Sequence, residues 1–493
     1  MTKPECQRLK IHLTAEKTPV CRIALIWRLS DIKGMRLLGD HWERGYGDFE
    51  WRGIVPERVM PWYFLLHDGQ RTHGYGVMTE PKAMCFWQVN AHAITLCLDV
   101  RCGGMGVLLN GREILAATVV ARTGLDNESP FQAAKAFCKL MSPKPYSIQD
   151  RIFGGNNWYY AYGKSSHNEI LDDSKFISQL APAGKVRPFM VIDSCWELPL
   201  DTTEKHLWLQ GNNHFPDMNQ LAGQLNNEGV RPGLRIRALS VPHNTDEKLL
   251  LPSRRFNTQD PPRSLDPSIP EAMDLVRTYF ERFVDWGYEL IKHDFTTYDL
   301  LGRWGFDMYG DLTNTGWQFY DSGKTTAEII TDLYKVIRCA AENCLIVGCN
   351  TISHLAAGIF DIQRTGDDTS GRQWERTRKM GINTLAFSLP KHNAFYAIDA
   401  DCVGITNDVP WAYNKQWMDL LSLSGTPLFV SATPKTGNVQ KEAIKHAFAM
   451  ASCGNNQAEP LDWMDTTCPS RWLLNGHERE FDWYRKDRIE FCV

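Results

Sequence analysis

Several things are missing from this sequence, and each absence removes a class of function. No apolar run approaches the roughly 20 residues that a membrane-crossing helix needs. The formal charge is nearly balanced, −4 over 493 residues. No stretch is dense in Lys and Arg either, so no nucleic-acid or other polyanionic partner is expected. Residues 1–19 contain no apolar core of a signal peptide. That points to the cytoplasm, or to a secreted or periplasmic protein if a leader has been removed. Fourteen cysteines are scattered without a CxxC pair. The group Cys339, Cys344 and Cys349 spans a helix end and a strand rather than a zinc knuckle. Cys97 and Cys102 could pair, but buried free thiols in a reducing compartment are the expectation. The fourteen histidines form no H-x-H and no H-E-x-x-H, which argues against a metal-dependent hydrolase. Gly154-Gly155 comes before the first strand expected in the α/β part. It therefore does not supply the glycine-rich turn after a strand that a dinucleotide needs.

What is present is length enough for two or three domains with a large core, and seventeen tryptophans. Indoles stack well on sugar rings, although many must simply be core. Residues 1–150 read as β-rich. Short runs alternate with turns at Arg22–Trp27, Met60–Leu66, Gly74–Met78, Ala83–Val89, Ile94–Val100 and Ile114–Ala121. Asp68-Gly69 and Asn110-Gly111 are turn signals. The stretch Val107–Leu115 has the pattern of one hairpin, and Phe131–Leu140 that of a helix. A twisted β-sandwich is expected, with Trp51, Trp62 and Trp87 in its core. Prolines at Ser142-Pro143-Lys144-Pro145 mark a boundary.

Beyond it, strand-like runs alternate with amphipathic helices. The strands expected are Asn157–Tyr162, Pro188–Asp193, Gly233–Leu239, Glu289–Asp294, Cys344–Cys349, Gly358–Gln363, Thr384–Ser388 and Leu428–Ser431. Met218, Leu221, Ala222 and Leu225 fall on one helical face that Gly229 closes. Ile329, Ile330, Leu333, Val336, Ile337 and Ala340 form another. Eight such units in residues 151–435 predict a (β/α)8 TIM barrel, its weakest point being the short link from Cys349 to Gly358. A doubly wound open sheet is the alternative. Residues 436–493 add a helix, Val439–Met450, and a small or incomplete β region. The fold class is thus multidomain β plus α/β: sandwich, barrel, short C-terminal segment.

The most telling stretch is Tyr288–Phe295. A helix capped by Ser268 and opened by Pro270 ends at Gly287, and a short apolar run then delivers Lys292, His293 and Asp294. Charges do not belong inside a sheet, but the carboxyl ends of parallel strands are where ligands bind. Asp294 is therefore the first candidate catalytic carboxylate; a structural ion pair with Lys292 is the alternative. The other strand ends are also polar: Asp193-Ser194-Cys195-Trp196-Glu197, Arg235 and Arg237, Cys349-Asn350, Arg364-Thr365-Gly366-Asp367-Asp368, and Asp399-Ala400-Asp401. Two carboxylates on separate strands suit glycoside cleavage, one as nucleophile and one as acid and base. Lys292 would keep the nucleophile ionised, while adjacent carboxylates such as Asp367-Asp368 raise a pKa as an acid requires.

These residues resemble a known family. The set Gly155-Asn156-Asn157-Trp158-Tyr159, Ile192-Asp193-Ser194-Cys195-Trp196, Asn213–Met218, Lys292-His293-Asp294 and Arg364–Asp368 is similar to the melibiase clan. That clan holds the α-galactosidases and α-N-acetylgalactosaminidases of glycoside hydrolase families 36 and 27. The likeness covers about residues 151–435, and the β-rich start resembles the N-terminal sandwich of family 36. It implies a retaining, exo-acting α-glycosidase that uses no metal and no organic cofactor. Asp294 matches the nucleophile; the acid/base falls on Asp367, with Asp368 as its alternative. Asp193, Lys292, Cys349 and Arg364 match sugar contacts. The implied partner is an oligosaccharide or glycoconjugate, and the class leaves room for a homo-oligomer. Two departures stand out. Ser194 replaces a second aspartate that grips O4 and O6 of galactose, and Asn350-Thr351-Ile352-Ser353 replaces a glycine-rich run near C2. The sugar is therefore open. So are transglycosylation, action on an α-N-acetylgalactosaminide, and an inactive carbohydrate-binding relative.

Overall fold

The computed structural model describes residues 6–29, 34–143, 148, 151–184, 186–454 and 456–484. The expected boundary residues Lys144 and Pro145 and the end of the tail, 485–493, lie outside the described residues.

The N-terminal region is built from two antiparallel sheets. One runs Cys6–Leu13, Ile114–Arg122, Thr72–Val77, Tyr63–His67, Arg36–Gly39; the other runs Arg22–Arg28, Ala93–Asp99, Met84–Val89, Met60–Pro61. Alternation decides which side chains face inward: Ile94, Leu96 and Leu98 are buried while Ala93, Thr95 and Cys97 are only partly so. Trp51, Trp62 and Trp87 are buried. At Asp68-Gly69 the Asp68 carboxylate accepts from the N–H groups of Gln70 and Arg71, both at 2.8 Å, and turns the chain between two paired strands.

The expected hairpin at 107–115 does not form. Asn110 and Gly111 do turn the chain, with φ of +50° and +81°. The arms find partners elsewhere, Val107 against Val20 and Ile114 against Leu13. The Gly111 N–H donates to the Ala15 carbonyl at 2.9 Å and Arg112 reaches Glu328 at 2.7 Å, so long-range contacts override the local turn.

The second part is a nine-stranded sheet in which every pairing is parallel. Its order is Ala397–Asp399, Ile362–Arg364, Leu345–Gly348, Leu290–His293, Arg231–Ile236, Phe189–Ile192, Phe153–Asn156, Leu428–Ser431, Val403–Gly404. The two end strands are neighbours in sequence, so the sheet curls back on itself like a barrel.

Two of the eight expected strands are corrected. The first is Phe153–Asn156, not 157–162, and the helix Trp158–Ala161 follows it. Glycine hides this strand from any propensity reading. It is nevertheless required, since a Cβ on Gly154 would sit 2.0 Å from the Phe189 carbonyl oxygen. Asn156 then turns the chain by accepting the Trp158 N–H at 2.9 Å. The second error is Thr384–Ser388, which is helical; the strand there is Ala397–Asp399, resumed at Val403–Gly404. A short apolar run carries no period that separates buried helix from buried strand. The Thr384 hydroxyl donates to the Met380 carbonyl at 2.6 Å, one helical turn back. Between Cys349 and Gly358 the connection is only the four-residue helix Ser353–Ala356.

The helix Pro270–Asp285 buries Val276, Tyr279, Phe280 and Phe283 and stops at Gly287, φ +90°. Ile269 is its N-cap; Ser268 instead donates to Asp266 at 2.7 Å. The helices Met218–Asn227 and Thr326–Ala340 lie where their periodicity puts them. The helix Asn438–Ser452 packs against Trp411–Ser424 and His167–Leu180, around the outside of the sheet. A three-stranded antiparallel sheet, Ala458–Pro460, Arg471–Leu474 and His477–Glu480, completes the described chain. Every described cysteine is unpaired. No helix among the described residues is long and apolar enough to cross a membrane.

The N-terminal sheets dock against the segments that follow the fifth and sixth strands of the barrel-like part. Trp62 is fully buried, stacks on His354 at 5.0 Å and meets Trp42 edge-on at 5.2 Å. Lys391 pairs with Asp40 at 2.8 Å, both buried. Trp62→Ala is expected to cost about 4 kcal/mol of stability. Urea unfolding of the variant against the parent measures it.

Candidate active site

Because all strands of the parallel sheet run the same way, their carboxyl ends share one rim. Register sets which side chains meet there: Arg235 lies opposite Lys292, and Arg364 opposite Asp399. A cavity of about 720 Å³ opens at this rim, within the range typical of small-molecule sites. Asp193, Lys292, Asp294 and Asp368 line it together with Ser194, Glu197 and Arg235; Trp158 and Trp208 add aromatic faces. Of the candidates read from sequence, Asp294, Lys292 and Asp193 are thus brought together, while Asp367, Cys349 and Arg364 do not line this cavity.

Asp294 is held by the third and fourth strands of the chain order. Its Oδ2 faces Arg235 Nη2 at 3.3 Å and its Oδ1 accepts the Phe295 N–H at 2.9 Å. Burial by itself favours the neutral acid. Arg235 first, then Lys292 and Arg44, outweigh that and hold Asp294 well below the usual carboxylate range. Asp193 behaves alike: burial opposes its charge, but Lys292 Nζ at 2.7 Å and Asn156 Nδ2 at 3.0 Å keep it low.

The two adjacent aspartates of the sixth strand differ sharply. Asp367 is clamped between Arg44 at 2.9 Å and Arg376 at 2.8 Å. Burial raises its pKa, but Arg44 and Arg376, helped by the Asp368 N–H and Arg364, bring it below the usual value. Asp368 faces the cavity with its side chain 41% exposed and has a single contact to Arg364, at 3.3 Å. Partial burial at the cavity wall and the neighbouring charge of Asp401 push its pKa up, against Arg364. Arg364 itself is buried. It contacts Asp401 at 3.2 Å and donates to Cys349 Sγ at 3.5 Å, so both it and Cys349 stand behind the cavity wall. Burial opposes the charge of Asp401, but Arg364 and Lys292 first, then hydrogen bonds from the Tyr159 hydroxyl and from the Thr369 N–H at 2.8 Å, hold its pKa below the usual carboxylate value.

Four residues with a part in this geometry were absent from the candidate list. Arg235 and Glu197 were visible only as polar residues near strand ends. Asp401 follows the strand that the sequence misplaced. Arg44 carried no signal at all, because it comes from the N-terminal region some 250 residues before Asp294. The loop around it is laid into the rim by a bridge between Gly45 and Gly366 and by the Gly45 N–H donating to the Thr365 carbonyl at 2.7 Å. Glu43 is fixed beside it, accepting the Gly305 N–H at 2.8 Å and bonding Asn350. Among the described residues no cluster of His, Cys, Asp or Glu is arranged to hold a metal ion.

No family model matches the sequence, and no curated protein matches it. Solved structures do. TtGalA, an α-galactosidase from Thermus thermophilus, superposes with TM-score 0.65 over 96% of this chain and 99% of its own, at 13% identity. This chain has the fold of that enzyme. GH36 α-galactosidase AgaA from Geobacillus stearothermophilus gives 0.58 at 12% identity, over 90% of this chain and 62% of its own. The galactosidase domain of α-galactosidase-sucrose kinase, AgaSK, gives 0.57 at 13% identity, over 91% and 64%. The chain therefore spans a little under two thirds of these two longer structures.

Proposed function

We propose that this protein is an exo-acting α-glycosidase that removes terminal α-galactosyl-type residues from an oligosaccharide or glycoconjugate. The observation that carries the reading is the pair Asp294 and Asp368 on one cavity, one kept ionised and the other pushed toward its protonated form. That division of labour is what glycosidic cleavage with two carboxylates requires. The likeness in fold to α-galactosidases supports the choice of sugar. On this reading the strands 397–399 and 403–404 are one interrupted seventh strand of a (β/α)8 barrel. The chain divides into a sandwich to about residue 150, the barrel to about 435, and a C-terminal segment beyond.

Asp294 attacks the anomeric carbon and forms a covalent glycosyl-enzyme. The same carboxylate, stabilised by Arg235 and Lys292, then leaves as a good leaving group in the second step. Asp368 donates its proton to the departing oxygen and afterwards takes one from water. This moves the acid/base role by one residue from Asp367, which between two arginines would hold a proton poorly. Lys292 and Asp193 face the sugar hydroxyls; Arg364 and Cys349 back Asp368 and Asp401.

Asp294→Ala is expected to abolish turnover of an aryl α-galactoside without unfolding the protein; ordinary residual activity in a folded variant would rule the assignment out. Asp368→Asn is expected to slow substrates with poor leaving groups about 100-fold or more while sparing activated aryl glycosides. Asp367→Asn run beside it shows whether the one-residue move is right. Asp401→Asn is expected to shift the alkaline limb of the kcat/KM profile to lower pH. The sign follows from Asp368: removing a neighbouring negative charge lowers its pKa, so the proton needed for catalysis is lost earlier as pH rises.

A further inference from the structure

One wall of the cavity carries a carboxylate to which the reaction assigns no task. After the strand Phe189–Ile192 the chain turns sharply at Cys195, whose φ of +78° is left-handed for a residue with a Cβ. The turn brings Glu197 back over Ser194. Glu197 Oε1 accepts the Ser194 hydroxyl at 3.1 Å and Oε2 accepts the Cys195 N–H at 2.8 Å. Asn212 Nδ2 braces the turn by donating to the carbonyls of Cys195 at 2.7 Å and Glu197 at 3.2 Å.

The same turn is wired to the reacting centre. Arg235 Nη1 donates to Ser194 Oγ at 3.1 Å and Arg235 Nη2 to Asp294 at 3.3 Å. Three hydrogen bonds in series thus fix Glu197 relative to the nucleophile. The guanidinium also lies 4.0 Å from Glu197 Oε1 and offsets its charge. An ionised carboxylate has about four acceptor positions. Two are used inside the turn, and the side chain, 16% exposed, borders the cavity with the rest. A rigid acceptor with spare lone pairs, on the same cavity as the nucleophile, suits a hydroxyl donor.

We propose that Glu197 accepts a hydrogen bond from the C4 or C6 hydroxyl of the sugar that Asp294 attacks, and so selects which sugar is cleaved. The inference rests on the α-glycosidase reading and adds a specificity residue to it. A residue that only braced the turn would affect all substrates alike; a residue that grips one hydroxyl would not. The test is a cycle of kcat and KM for wild type and Glu197→Gln on an aryl α-galactoside, its 4-deoxy and 6-deoxy analogues, and the arabinopyranoside that lacks C6. Loss of a hydrogen bond to a charged acceptor should raise KM for the parent about tenfold or more. The penalty should vanish on the analogue without the gripped hydroxyl. An equal penalty on every glycone, or none on any, would overturn the proposal while leaving an active wild type and the functional reading intact. A wild type inactive on all four substrates overturns both. Should Glu197→Gln fail to fold, Glu197→Asp, which withdraws the charge by one methylene, is scored by the same criterion.

Discussion

A charge taken out of water must find a partner, and at this rim several strand ends carry one. Lys292 answers Asp193, Arg235 answers Asp294, Arg364 answers Asp401 and Arg44 answers Asp367. None of these pairs lies within a single strand, so each fixes one element against another. A slip of one residue in the sheet would turn these side chains away from the rim and leave buried ions unmatched. The same constraint that locks the register also sets the charge balance of the cavity, lowering the pKa of Asp294 while that of Asp368 is raised.

The parts of this arrangement that were legible in the sequence are those with a local signature. Asp294 could be found because a helix, its glycine stop and a short strand-like run lead up to it. Asp193 and Lys292 could be found because charges at the ends of apolar runs are conspicuous. The strands that failed had lost their signature: Gly154-Gly155 has no side chains to read, and Thr384–Ser388 is too short to show a period. The sandwich strands at 22–28, 84–89 and 93–99 were plain, whereas 107–115 looked like a hairpin only because its turn chemistry is genuine and its partners are far away.

The choice between Asp367 and Asp368 shows what no linear reading could supply. Adjacent aspartates differ by nothing in sequence. Their difference lies in what approaches from outside the strand: Arg44 and Arg376 converge on one, and the anionic Asp401 stands behind the other. Each of those neighbours arrives from a different segment. The electrostatic character of a residue at a strand end is a property of its surroundings, and those surroundings are assembled last.

The loop bearing Arg44 has an implication for how such a molecule can change over time. Gly45 touches Gly366, and Arg44 reaches past it to Asp367, so the first fifty residues finish a rim whose remaining members come from the following four hundred. An isolated barrel-like part would hold Asp367 by Arg376 alone, where two guanidinium groups now share it. A barrel joined to a foreign sandwich would meet whatever side chain that stranger happened to offer. Neither piece can be exchanged alone, and recombination between distant relatives should therefore preserve the two as a single inherited block.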